Sequence, residues 1–235
     1  MDIQILTADV DELRDPSLYL RLYESVSRER REKVNRMRFP KDKRLSLGAG
    51  ALLEAALSGL GIHDFAFSYG KYQKPRLTNT DCIQFNLSHS GTKVMCAISD
   101  SDIGCDVEKV TDIGIEIAEQ FFFSEEYRSL CSCGEGESRN ELFFRYWTLK
   151  ESFMKATGLG FMLPPDAFCV LLEEGKTSVR HSVDERQYFF KEFHQGDEYR
   201  YAVCSVGRAV RDREGLSVKP FQWVLETLDC GQGRQ

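Results

Sequence analysis

The chain has 235 residues, enough for one large domain or two small ones, and its 42% hydrophobic and 29% charged residues are a globular balance. No apolar run reaches membrane-spanning length, and a net charge of −6 argues against general nucleic-acid binding. The eight cysteines are scattered and read as reduced thiols, and Cys131-Ser-Cys133 lacks zinc-ligand spacing. Met1-Asp2-Ile3 does not open a secretory signal, so the expected location is cytoplasmic.

In chain order, Met1–Val10 alternates as a strand and Ser17–Arg38 reads as one helix. Pro40 separates it from a second, Leu- and Ala-rich helix over Lys41–Leu60. Between Arg28 and Arg44 nine Lys/Arg face three acids, a local +6 that leaves −12 for the rest. Such a patch is either a solvated helix face or a site for a focused anionic partner. Phe65–Tyr69 is a strand, Gly70–Leu77 a loop with three cations, and Phe85–Gly91 a strand ending in a polar turn. Val94–Ser99 and Ile103–Val107 are strands. Ile113–Phe123 is an apolar helix, with Ser124 as N-cap of the next segment, and Cys131–Asn140 is a loop. A helix then runs to Gly158 and Gly160, and Pro164-Pro165 prevents its restart. Phe168–Leu172 is a strand, Gln187–Phe193 and Tyr199–Val206 are a closing hairpin, and Asp229–Gln235 is frayed. The strand and helix order predicts an α+β fold, with a boundary near Asp100–Ile103.

Two stretches carry chemistry. Trp147, Glu151 and Lys155 recur every four residues, so they share one helix face, beside an apolar stripe of Leu142, Tyr146, Leu149 and Phe153. Alone, the Glu151–Lys155 pair is an ordinary solvated pair worth a few tenths of a kcal/mol. Asp106 and Glu108 lie two apart in a strand, on one face, where they repel unless a cation joins them. With Glu151 they make an all-oxygen set suited to a hard cation, Mg²⁺ best, although two exposed strand acids would read the same way. Ser88-His89 ends a strand, within reach of phosphate donors such as Arg and Lys.

Five elements occur together in one order: Lys41-Asp-Lys-Arg44-Leu-Ser-Leu-Gly48, Tyr69-Gly70 through Lys74-Pro75, Phe85-Asn-Leu-Ser88-His89-Ser-Gly91, Gly104-Cys-Asp106-Val-Glu108 and Trp147-Thr-Leu-Lys150-Glu151-Ser-Phe-Met-Lys155. This set, over roughly residues 28–168, closely resembles the long, surfactin-synthetase-activating 4′-phosphopantetheinyl transferases. The resemblance implies two similar α/β halves related by a pseudo-twofold, here 1–102 and 103–235, with coenzyme A in the cleft between them. It implies a monomer that moves the phosphopantetheine arm of coenzyme A to a serine of an apo acyl, peptidyl or polyketide carrier protein. By the resemblance, Asp106, Glu108 and Glu151 bind Mg²⁺ and Lys155 contacts the reacting phosphate. Glu151, directly or through a metal-bound water, takes the serine proton. Arg44 and His89 hold the 3′-phosphate, Ser88 another phosphate, and Lys74 and Pro75 line the adenine site. Lys33 and Arg30 or Arg31 are further phosphate candidates. Cys105 stands where the family has an aliphatic residue. The carrier is expected to dock on the apolar stretch 111–130.

A short holo-synthase dedicated to fatty-acid carrier protein is the alternative within this chemistry, but its usual form is about half this length. A non-catalytic coenzyme A module is the other alternative, against which the three carboxylates and Lys155 count.

Overall fold

The computed structural model describes residues 1–78, 80, 82–134 and 136–232. The described residues form an α+β fold built on two larger sheets, two small hairpin sheets and seven α-helices. The first sheet has the order β11 (Leu216–Val218), β1 (Gln4–Asp9), β5 (Lys93–Ser99) and β4 (Gln84–Ser90). The second has the order β6 (Ile103–Lys109), β10 (Tyr199–Val206) and β9 (Tyr188–Phe193). All ladders are antiparallel except β1 with β11, which is parallel. The hairpins are β2 (Phe67–Tyr69) with β3 (Pro75–Leu77) and β7 (Cys169–Glu173) with β8 (Lys176–Arg180).

Each larger sheet buries one face under a helix and turns the other toward its neighbour. The helix α3 (Pro40–Gly59) covers the first sheet with Leu47, Leu52, Leu53 and Leu57, all fully buried. The helix α6 (Glu137–Thr157) covers the second with Leu149, Phe153 and Ala156, against Ala202 and Cys204 of β10. Between the sheets Ile5, Met95 and Ala97 meet Cys105, Val107, Tyr201 and Val203. Strands buried on both faces read as unbroken apolar runs, as in Val94–Ile98.

Several expected boundaries are corrected. The helix over 17–38 is two, α1 (Pro16–Ser25) and α2 (Arg28–Arg36), because Val26 and Ser27 leave helical geometry and the Ser27 hydroxyl accepts from Arg30 N. The Ser27 N–H and hydroxyl donate in turn to Glu54 of α3, both at 2.8 Å. The apolar helix is shorter, α4 (Ile115–Phe121). The N-cap of α5 (Ser124–Ser132) is Phe123, not Ser124, and its N–H donates to the Glu126 carboxylate at 2.8 Å. The expected 131–140 loop is mostly helical, since α5 runs to Ser132 and α6 begins at Glu137. The start of α7 (Phe221–Gln232), a helix the pattern did not suggest, packs Phe221, Val224 and Leu225 into the α3 core; of the frayed tail, 229–232 is helical and 233–235 lies outside the described residues.

Candidate active site

The site forms where the edge strands β4 and β6 of the two larger sheets lie side by side under α6. Side chains join these edges. Asn86 Oδ1 accepts from Cys105 N at 2.9 Å, and Ser90 Oγ accepts from Lys109 N at 3.2 Å. Alternation then aims Ser88 of β4, and Asp106 and Glu108 of β6, at the same seam. Gly104 lets α6 approach: a Cβ there would stand 2.0 Å from the Ser152 carbonyl oxygen and 2.5 Å from Ala156 N. Only glycine permits this contact.

That approach delivers Lys155. Its ammonium donates to Asp106 Oδ1 at 2.6 Å, Ser88 Oγ at 3.1 Å and the Cys105 carbonyl at 3.2 Å, and lies 3.9 Å from Glu151 Oε2. Ser88 Oγ donates to the same Asp106 oxygen at 2.7 Å, and Ser90 Oγ to Glu108 Oε2 at 2.6 Å. The expected residues Ser88, Asp106, Glu108, Glu151 and Lys155 are thus brought together.

Burial and crowding set their charges. Burial, then the neighbouring Asp106, pushes the Glu108 carboxyl up to about 7. Burial also raises Glu151, against the pull of Lys155. For Lys155 burial acts to strip the proton, but Asp106 leads the nearby groups that more than offset it, and its affinity for the proton rises. Asp106 is 2% exposed, and its Oδ2 is buried with no hydrogen-bond partner among the described residues. An orphaned carboxylate oxygen beside two carboxyls whose protons are held by burial and repulsion is a place a hard cation fits. Among the described residues no group of three His, Cys, Asp or Glu side chains is gathered to hold a metal as it stands. The Lys155 ammonium supplies the positive charge there.

The basic residues lie along the first half. Burial, followed by the charges of Lys155 and Lys33, lowers the His89 imidazole, so Lys33 of α2 faces the same region. The Nε of Arg44 is buried without a hydrogen-bond partner among the described residues. Arg30 is 8% exposed and donates to the Ser46 carbonyl, its Nε is likewise without a hydrogen-bond partner among the described residues, and it lines the cavity that also holds Lys33, while Arg31 donates to the Glu24 carbonyl. A cavity of about 170 Å³ has Lys33, Tyr69, Gln73, Pro75, Phe85 and Leu87 in its wall. Lys74 is absent from that wall, and its ammonium donates to the Ile103 carbonyl at 3.1 Å. A roomier cavity, about 700 Å³, lies elsewhere, between the first turns of α6 and the β9–β10 edge, where Arg145 grips Glu192. Sequence reasoning passed over Asn86 and Ser90, although Asn86, Ser88 and Ser90 alternate onto one face of β4.

Comparison with known proteins decides the family. The sequence model of the 4′-phosphopantetheinyl transferase superfamily matches residues 102–204, the stretch holding Asp106, Glu108, Glu151 and Lys155. The chain is 37% identical over 189 residues to the 4′-phosphopantetheinyl transferase ffp of Bacillus subtilis, covering 79% of this chain and 84% of that one. This chain belongs to the 4′-phosphopantetheinyl transferases. Within them it is 34% identical to Sfp of Bacillus subtilis strain 168, over 77% of this chain and 82% of that one. The transferase gsp of Aneurinibacillus migulanus is 32% identical over 94% of this chain and 92% of its own. The match to these Sfp-like transferases runs along most of this chain's length.

Proposed function

We propose that this protein moves the 4′-phosphopantetheine arm of coenzyme A onto a serine hydroxyl of an apo acyl, peptidyl or polyketide carrier protein, releasing 3′,5′-ADP. The observation that carries the reading is the Lys155–Asp106–Ser88 knot beside Glu108 and Glu151, in a chain of this family. In the reaction the serine oxygen bonds to the phosphorus bearing the pantetheine, and the bond from that phosphorus to the bridging oxygen breaks. The ADP portion leaves with the electron pair, and the serine proton passes to Glu151. A carboxyl raised by burial is a better acceptor for that proton than one in water.

Lys155 faces the negative charge that builds on the reacting phosphate. Ser88 exchanges its bond to Asp106 for one to a phosphate oxygen. Arg44 and His89, with Lys33, take the 3′-phosphate, and Pro75 flanks the adenine, with the Lys74 ammonium behind it on the Ile103 carbonyl. Mg²⁺, held by Asp106, Glu108 and Glu151, supplies charge neutralisation to the pyrophosphate when bound. Residues 1–102 then carry most of the coenzyme contacts, and 103–235 the metal, the catalytic helix and the carrier surface. That surface is 111–130, where Ile117 is 40% exposed and Phe121 meets Trp147 edge-on at 6.0 Å. The protein acts as a cytoplasmic monomer.

The test is mass spectrometry of apo carrier proteins of the three classes, incubated with coenzyme A, Mg²⁺ and the protein. A gain of the phosphopantetheine mass on the carrier serine is expected. Unmodified carriers throughout, with folded protein that binds coenzyme A, would leave only a coenzyme A-binding module.

A further inference from the structure

The hairpin β2–β3 supplies Tyr69, Gln73 and Pro75 to the 170 Å³ cavity, yet it is a separate two-stranded sheet. An isolated two-stranded hairpin is marginal in water, so its position depends on side chains. One anchor is apolar: Phe67 packs on Phe85 of β4 with ring centroids 5.6 Å apart. A second is charged, and Arg76 of the hairpin also donates to the Gln84 side chain of β4 at 3.1 Å.

That second anchor is centred on Asp102, the residue just before β6. Its carboxylate is the shared counter-ion of three cations from two distant segments. Arg186, between β8 and β9, reaches it at 2.9 Å, Arg76 of β3 at 3.3 Å and Lys74 at 3.8 Å. Lys74 also donates to the carbonyl of Ile103, three residues before Asp106 in the same strand. The Lys74 side chain is 9% exposed, and burial, with Arg76 and Arg186 adding to it, lowers its ammonium to about 8. Asp102 is itself fixed, since its carbonyl accepts from Val206 N at 3.0 Å and pins it to the end of β10. Arg186 has a second acid in Asp184, but Lys74 and Arg76 have Asp102.

We propose that Asp102 is a positioning residue for coenzyme A, an electrostatic latch that holds the β2–β3 hairpin, and with it one wall of the nucleotide cavity, against the strand carrying Asp106 and Glu108. Neutralising it leaves three cations facing one another across a few ångströms, and repulsion lifts the hairpin. The latch rests on the proposed use of the cavity for coenzyme A, but its structural consequence does not depend on carrier modification.

The test compares wild type, Asp102→Asn, Asp102→Glu, Arg76→Gln and the double variant Asp102→Asn/Arg76→Gln. The readouts are coenzyme A binding by calorimetry, amide hydrogen exchange over residues 67–77 and steady-state transfer. Partly exposed ion pairs are worth ~0.2–1 kcal/mol each, so Asp102→Asn is expected to weaken coenzyme A binding roughly three- to tenfold. Exchange in the hairpin should quicken while kcat at saturating coenzyme A stays within about twofold, and Asp102→Glu should restore much of the affinity. Arg76→Gln should weaken binding clearly in the wild-type background and much less in Asp102→Asn, where only its bond to the Gln84 side chain is left to lose. Equal effects of Arg76→Gln in both backgrounds would make Arg76 a direct contact and overturn the proposal. So would unchanged binding and exchange in Asp102→Asn, or tighter binding, which would make the cations ligands that Asp102 holds in check. If wild type binds coenzyme A but modifies no carrier, the proposed function fails while the binding and exchange readouts still decide the latch.

Discussion

Lys155 Nζ stands 2.6 Å from Oδ1 of Asp106, while Oδ2 of the same carboxylate is buried without a hydrogen-bond partner among the described residues. One oxygen is therefore committed to an ammonium and the other is open. If the open oxygen receives Mg²⁺, Asp106→Ala should nearly abolish transfer with the fold intact, and a chelator should do the same to wild type. Lys155→Met should lower kcat roughly 10²- to 10³-fold, the scale of losing one preorganised charge donor. Transfer at the wild-type rate in excess chelator would remove the metal from the reaction.

Arg44 presents a buried Nε with no hydrogen-bond partner among the described residues, so it has a donor in hand for an anion. Charge-assisted bonds are worth ~1.5–3 kcal/mol, so Arg44→Ala should weaken coenzyme A binding roughly ten- to a hundredfold. It should also narrow the preference for coenzyme A over its 3′-dephospho form. The ratio of kcat/KM values for the two substrates checks this, and a ratio equal to that of wild type moves the 3′-phosphate elsewhere.

Ile117 is an exposed apolar side chain on α4, next to the aromatic group of Phe121, Phe122 and Trp147. Ile117→Asp should raise KM for the carrier and leave KM for coenzyme A alone. Should both constants stay at their wild-type values in a folded protein, the basic 28–44 face becomes the next place to look for docking.

Gly104→Ala tests the approach of α6 to β6. The new methyl would meet backbone atoms of Ser152 and Ala156 rather than a flexible side-chain end, so the helix must move. Overpacking of this kind costs about 1–3 kcal/mol or more, and the displacement also draws Lys155 from Asp106. A lower Tm together with a lower kcat is expected. A normal Tm with full activity would mean the seam is loose.

Glu214 gives the pH prediction. It is 5% exposed and accepts from Ile3 N at 2.8 Å, Arg211 N at 2.7 Å and Arg208 at 2.8 Å. Burial opposes its charge, but these bonds hold its pKa down at about 2. A carboxylate lowered on folding stabilises the protein above its unfolded pKa, near 4.5, and that contribution is lost as the pH falls toward 2. Discounted for the part-exposed arginines, it is worth ~2 kcal/mol. Glu214→Gln should lower the denaturation midpoint at pH 7 and flatten its acid dependence. A variant that tracks wild type down the acid limb would show that other carboxylates govern it.

The cluster of carboxylates with Lys155 was legible because its spacings are local. Asp106 and Glu108 share a strand face by a period of two, and Glu151 and Lys155 share a helix face by a period of four. What joined them was hidden, since the β4–β6 seam depends on a Gly104 contact and an Asn86 bond between segments that no periodicity relates. The helix break at Val26–Ser27 was hidden for a different reason. Leu18, Leu22 and Val26 keep helical spacing up to it, and the tertiary partner Glu54 adds to the Ser27 cap in making the break favourable. Lys74 and Pro75 are adjacent in the motif but part in the structure, where Pro75 lines the cavity and Lys74 turns to Ile103, a divergence that no spacing announces.

The parallel pairing of β1 with β11 has a consequence for biosynthesis. Glu214, just before β11, receives the N–H of Ile3, 211 positions earlier in the chain. During translation β1 emerges long before β11, and one of its edges stays bare until residues 216–218 have appeared. Its other neighbour, β5, can pair as soon as residues 93–99 appear, so an early, three-stranded sheet is available before the fourth strand exists. Closing the last strand is a high-contact-order step, slow and late, and until then the open edge of β1 is the place where nascent chains would find one another.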